Sequence, residues 1–185
     1  MLNIFILDEN MTKSAEYYMD AHVRKIILEI AQMLCIAHNV TGGEAPYKTK
    51  GYINHPISKW IRENKSNYRW AVKMGLTICG EYTYRYGKIH KTQAILEWLR
   101  DNEPNIPDGN IRPFVQAVAS DCKVNDAIIA YRDYYNSGEK TPFAVSENDV
   151  CTQTSFLLWV GYFNIIDYKR HLAKWKNRPV PEWYI

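Results

Sequence analysis

Residues 14–38, SAEYYMDAHVRKIILEIAQMLCIAH, carry two helical stripes of different chemistry, and their reading decides the fold. Met19, Val23, Ile26, Ile27, Ile30, Met33, Leu34 and Ala37 recur at steps of three and four, which sets them on one face of a helix turned toward a core. His22, Lys25, Glu29 and Gln32 keep the same steps along a second line that borders the apolar one. Glu16 and Arg24 fall on the remaining, solvated side. The polar line therefore reads as a seam in a cleft between helices, or as the ordinary i,i+4 pairing of a wet helix face.

Upstream, residues 2–7 are apolar and β-capable and break at Asp8-Glu9-Asn10, so an extended segment tucked into the core is expected. Thr12 or Ser14 is the candidate N-cap of the helix, which should end near His38-Asn39. Downstream, Asn54-His55-Pro56 has the form of a helix start, since proline suits the first helical turn. Asn64 or Ser66 opens a longer helix with Tyr68, Val72, Leu76, Cys79 and Tyr86 in step, where Gly75 and Gly80 would let another helix come close. Residues 90–100 form a further helix with Ile95, Leu96 and Leu99 as its apolar face. Residues 101–113 hold three prolines and a glycine and read as a loop. Residues 123–136 read as a helix with Val124, Ala127, Ile128, Tyr131 and Tyr135 inward, and residues 146–172 as a buried helix around the apolar run 156–166. The tail, residues 175–184, has two prolines and cannot be regular helix. The expected fold is all-α: a compact single-domain helical bundle over residues 1–185, with an extended N-terminal segment and an irregular tail rich in Pro and Trp. Its first helix packs centrally against the helix of residues 68–86.

At 185 residues with 46% hydrophobic content the chain can bury one sizeable core. A net charge of +3 creates no global field that would force a nucleic-acid partner. The local charge says more. Residues 169–178, KRHLAKWKNR, place Lys169, Arg170, Lys174, Lys176 and Arg178 around Trp175 with no acid among them, a pattern suited to a phosphate-facing surface. Cys35, Cys79, Cys122 and Cys151 lack metal-ligand spacing and read as reduced thiols of a cytoplasmic protein. No leader is read at the N-terminus, the apolar run 156–166 is too short to span a bilayer, and neither a metal nor a cofactor is expected. The oligomeric state is left open.

No P-loop, GxGxxG, HExxH or GxSxG motif is present, which removes the best support for nucleotide-fold and common hydrolase readings. The candidate catalytic residues are His22, Lys25 and Glu29, with Glu29 or His22 as general base. Gln32, His55, Glu81, Arg85, Lys88 and His90 are further cleft candidates, and Glu81 also stands four residues before Arg85, at the spacing of an intrahelical pair.

Residues 3–34, the segment 49–91 containing TKGYINHP, the stretch AYRDYYNSGEKTPFA at 130–144 and the ending AKWKNRPVPEWY at 173–184 resemble a family of small uncharacterised bacteriophage and bacterial proteins. More distantly, the TKGYINHP element, the aromatic-rich helix after it and the basic, aromatic ending resemble the bacteriophage-type pyrimidine-dimer DNA glycosylases. That resemblance implies an all-helical enzyme that binds and kinks DNA and excises a damaged base. It also implies attack on the sugar carbon by the N-terminal α-amine, with a helix-one glutamate stabilising the imine. Here Met1-Leu2 opens the chain where that family exposes a small residue, and residues 20–23 read DAHV, with Glu29 two turns later. The chemistry is therefore expected to rest on His22, Lys25 and Glu29. Residues 145–172 separate two elements that lie together in the nearer family and read as an insertion. The alternative is a non-catalytic phage accessory protein that binds nucleic acid or a host protein through its basic C-terminal region.

Overall fold

A computed structural model of the chain describes residues 3–49, 51–117, 123–136 and 173–185. Six helices are present among them and no strand: α1 (Met11–Glu16), α2 (Asp20–Val40), α3 (Pro56–Ile61), α4 (Lys65–Tyr86), α5 (Gln93–Asp101) and α6 (Ala127–Asn136). The all-α expectation holds. The proposed helix of residues 146–172, Cys122, Cys151, the first two residues, and Lys169 with Arg170 lie outside the described residues.

The stretch 14–38 is two helices rather than one. Asn10, not Thr12 or Ser14, caps α1 by accepting the Lys13 N–H, and Ser14 is used differently, its hydroxyl accepting the N–H of Leu7. The helix stops at Tyr17 because the next residue serves the N-terminal segment. The Tyr18 hydroxyl accepts the Phe5 N–H at 2.8 Å and donates to the Phe5 carbonyl at 2.6 Å, giving an extended, buried stretch the partners a sheet would otherwise supply. Two tail groups occupy the break as well. Trp175 Nε1 donates to the Tyr17 carbonyl, and the Asp20 N–H donates to the Lys174 carbonyl. Periodicity alone could not reveal the break, since the apolar step runs through it unchanged.

From Asp20 onward the apolar stripe behaves as expected: Val23, Ile26, Ile27, Ile30, Met33, Leu34 and Ala37 are all buried. α2 packs against α4, α3 and α5, which places it at the centre of the described helices. Asn64 caps α4 through the Asn67 N–H, and Gly87 ends it in the left-handed conformation. Gly75 allows the close approach predicted for it, since a Cβ there would stand 3.0 Å from Leu96 of α5 and 3.1 Å from Ile30 of α2. Gly80 does not, because nothing lies within 4 Å of its would-be Cβ. On α6, Tyr131 and Tyr135 point inward as expected, but Val124 precedes the helix and is exposed. The proline-rich loop is fastened to α4, with the Lys65 N–H donating to the Pro107 carbonyl and the Arg112 N–H to Asn67. No helix of the described residues is long and apolar enough to cross a membrane.

Candidate active site

The polar line of α2 is divided by its surroundings. Glu29 is buried, while Lys25 is partly open to solvent, so their pair stands at the boundary between core and water. Lys25 Nζ lies 3.3 Å from Glu29 Oε1, and the other carboxylate oxygen accepts the backbone N–H of Asn3 at 2.9 Å. Asn3 is itself fully buried, its side-chain amide donating to the Ala117 carbonyl and its Oδ1 accepting the Ile4 N–H. The extended N-terminal segment is thereby docked onto the carboxylate. A lone asparagine within an apolar run is the sequence signal for this contact.

His22, one turn earlier, faces the core. Its Nδ1 shares a 2.6 Å hydrogen bond with the Tyr135 hydroxyl of α6, and its ring stacks on Phe5 at 4.9 Å. Burial pushes the Tyr135 and Tyr18 hydroxyls well above their usual range, so both remain neutral hydrogen-bonding groups. About two helical turns, roughly 10 Å along the axis, separate His22 from Glu29. Gln32 continues the line at an intermediate depth.

A second cluster joins residues predicted separately. The fully buried Arg85 guanidinium donates to Glu81 at 2.6 Å, to Asp20 at 2.9 Å and to the Glu16 carbonyl at 2.9 Å. Arg178 from the tail closes the other side of Glu81, at 2.8 Å, and reaches Glu16 at 3.2 Å, its guanidinium also lying 4.2 Å from the Tyr84 ring centroid. The hydrogen bonds to Glu81 hold Arg178 above the usual arginine range. The Lys176 N–H donates to Asp20, and Trp175 is buried against Tyr184. Of the basic run, the described side chains that stay exposed are Lys174 and Lys176. Glu16 and Asp20, acids at i,i+4 spacing in the sequence, complete this network, so Glu16 is half-buried and paired rather than on the solvated side expected for it.

The other candidates stand apart. His55 caps α3, its Nδ1 accepting the Ile57 N–H. His90 bridges the α4–α5 turn to α2, Nε2 donating to the Arg24 carbonyl and Nδ1 accepting the Thr92 N–H, and burial holds its pKa below the ordinary value. Lys88 is exposed. Among the described residues no group of three or more His, Cys, Asp or Glu side chains is placed to hold a metal ion. What the boundary pair offers chemically is an amine partly open to solvent beside a buried carboxylate placed to exchange a proton with it.

A family model described as pyrimidine dimer DNA glycosylase matches residues 2–94, half of the chain. The match covers the N-terminal segment, α1 to α4, and therefore Asn3, Lys25, Glu29, Glu81 and Arg85, while Tyr135 and Arg178 lie beyond it. No curated protein and no solved structure matches.

Proposed function

Because the chain belongs to the pyrimidine dimer DNA glycosylase family, we propose that it excises a damaged base from DNA, with Lys25 and Glu29 as the reacting pair. The observation that carries this reading is the 3.3 Å contact between a solvent-reachable amine and a buried carboxylate held by the N-terminal segment. The target nucleotide leaves the base stack to reach them. Glu29 takes a proton from Lys25, whose Nζ bonds to C1′ of the deoxyribose as the bond from C1′ to the base nitrogen breaks. The base nitrogen keeps that electron pair and takes a proton from solvent, and in a dimer the cleaved base stays joined to its neighbouring base. Ring opening then breaks the C1′–O4′ bond: the bond's electron pair goes to O4′, which takes the proton held by Glu29. The Lys25 nitrogen gives one proton to solvent and its freed electron pair forms the C1′=N bond, leaving a protonated imine that water hydrolyses to free the enzyme. With its proton passed to O4′, Glu29 is again a carboxylate and faces the cationic imine carbon, which its negative charge stabilises.

His22 has a positioning role. Its bond to Tyr135 and its stack on Phe5 lock the first turn of α2 against α6 and the N-terminal segment, which sets where Lys25 emerges. A chain that works on DNA with two buried free thiols, Cys35 and Cys79, suits a reducing cytoplasm.

Borohydride reduction on a duplex carrying a thymine dimer tests the proposal. A covalent protein–DNA adduct should form, map to Lys25, and vanish in Lys25→Arg, which keeps the charge and removes the nucleophile. An adduct mapped to residue 1, or one undiminished in Lys25→Arg, would move the chemistry to another amine.

A further inference from the structure

The residues just before α3 carry a feature that the reacting pair does not explain. Tyr52 sits at φ +61°, in the left-handed region, and is half exposed, with Ile53 beside it at 38% exposure. A bulky aromatic residue adopts that backbone at a cost, whereas glycine and asparagine adopt it cheaply. Both of those residues are at hand, as Gly51 and Asn54, yet the strained position holds a tyrosine.

The turn is anchored on three sides. The Tyr52 carbonyl accepts the His55 N–H at 3.0 Å, the Ile53 carbonyl accepts from Arg62 at 2.6 Å, and His55 caps α3. Two adjacent apolar side chains are therefore presented to solvent on a fixed platform. The sequence through the turn is basic, and the next acid, Glu63, is paired with Arg112. Residues 47–62 contain Lys48, Lys50, Lys59 and Arg62 and no acid, and Lys48 and Lys59 are exposed. The tail, by contrast, gives up Arg178 to Glu81 and Glu16. A polyanion with flat apolar faces between its charges is the partner that matches both features, and nucleic acid has that composition.

We infer that the Tyr52-Ile53 turn is a DNA-contacting wedge, inserting or stacking against bases while Lys48 and Lys59 meet the flanking phosphates. This rests on the DNA-excising function proposed above, and adds to it the surface that holds and unstacks the duplex. Strain at Tyr52 and exposure of Ile53 then follow from the need to present apolar groups rigidly to a base step.

The test uses the whole chain and a duplex of about two helical turns bearing one thymine dimer, with 2-aminopurine beside it, read by anisotropy and by 2-aminopurine fluorescence across a salt series. Tyr52→Ala should weaken binding about tenfold, the order of a lost aromatic–base stack, with the salt slope unchanged. The double change Lys48→Ala with Lys59→Ala should reduce the slope by about two. Fluorescence should rise when the wild-type chain binds, and fail to rise with Tyr52→Ala. Tyr52→Gly should lose affinity equally while its thermal midpoint rises, which excludes loss of the fold as the cause. Equal affinity and equal brightening in wild type and Tyr52→Ala would overturn the wedge alone. A wild-type chain that binds no DNA at any salt would overturn the wedge and the functional proposal together.

Discussion

Arg85 shows how far one residue can be committed. Its side chain is fully buried and donates to two carboxylates and one carbonyl on three different segments, so its charge is compensated by the acids whose desolvation it helps offset. Arg85→Ala removes the guanidinium that Asp20 and Glu81 share, leaving Asp20 with the Lys176 N–H and Glu81 with Arg178. We expect a loss of about 3 kcal/mol, the low end for breaking a buried pair, read as a lower urea midpoint. A midpoint within experimental scatter of wild type would show that the network is structurally dispensable. Spacing made the Glu81–Arg85 pair legible, because i,i+4 is a local relation. It could not disclose Asp20, Glu16 or Arg178, whose approach depends on how α1, α2 and the tail fold back on α4.

At the scale of elements, the two glycines of α4 make a controlled comparison. Gly75 faces Leu96 and Ile30 at contact distance, and Gly80 faces open space. Gly75→Val should destabilise by about 2 kcal/mol through overpacking of the α2–α4–α5 junction. Gly80→Ala should instead stabilise by about 0.5–1 kcal/mol, the ordinary gain from replacing glycine inside a helix. Equal effects from the two changes would mean that the helices do not pack as described. The sequence marked both glycines alike, because period and residue type do not say which face a second helix will take. The apolar stripe of α2 was legible for the opposite reason, since burying it is the main thing that helix does. The break at Tyr17 was hidden because it comes from tertiary bonds: the Tyr18 hydroxyl to Phe5, and Trp175 to Tyr17.

For the molecule as a whole, two histidines set a pH response. Burial holds the pKa of His38 and of His90 below the ordinary 6.5. The unfolded chain therefore takes up protons first as pH falls, and stability depends on keeping both rings neutral. That contribution is complete above about pH 6.5, is lost as pH drops from there through the folded-state values, and levels off below them. Urea midpoints should fall between about pH 7 and pH 5, with a shallower fall in His38→Asn; a midpoint constant across that range would contradict the assignment. At this scale the sequence disclosed the all-helical class and the residues of the candidate pair. It did not disclose that His22 turns to the aromatic core, where Tyr135 meets it from a helix more than a hundred residues away.

The claim on which the rest depends is that Glu29 does chemistry rather than simply holding Asn3 in place. Glutamine at that position keeps the shape and can still accept the Asn3 N–H through its amide oxygen, but it carries no charge and cannot take a proton. The direct measurement is single-turnover glycosidic-bond cleavage, read as alkali-labile sites, in a duplex bearing one thymine dimer, with wild type and Glu29→Gln compared at saturating enzyme. Our account predicts a rate lower by about 10²–10⁴-fold, the span of general acid–base effects, with thermal midpoint and DNA affinity close to wild type. Cleavage at the wild-type rate by Glu29→Gln would contradict it.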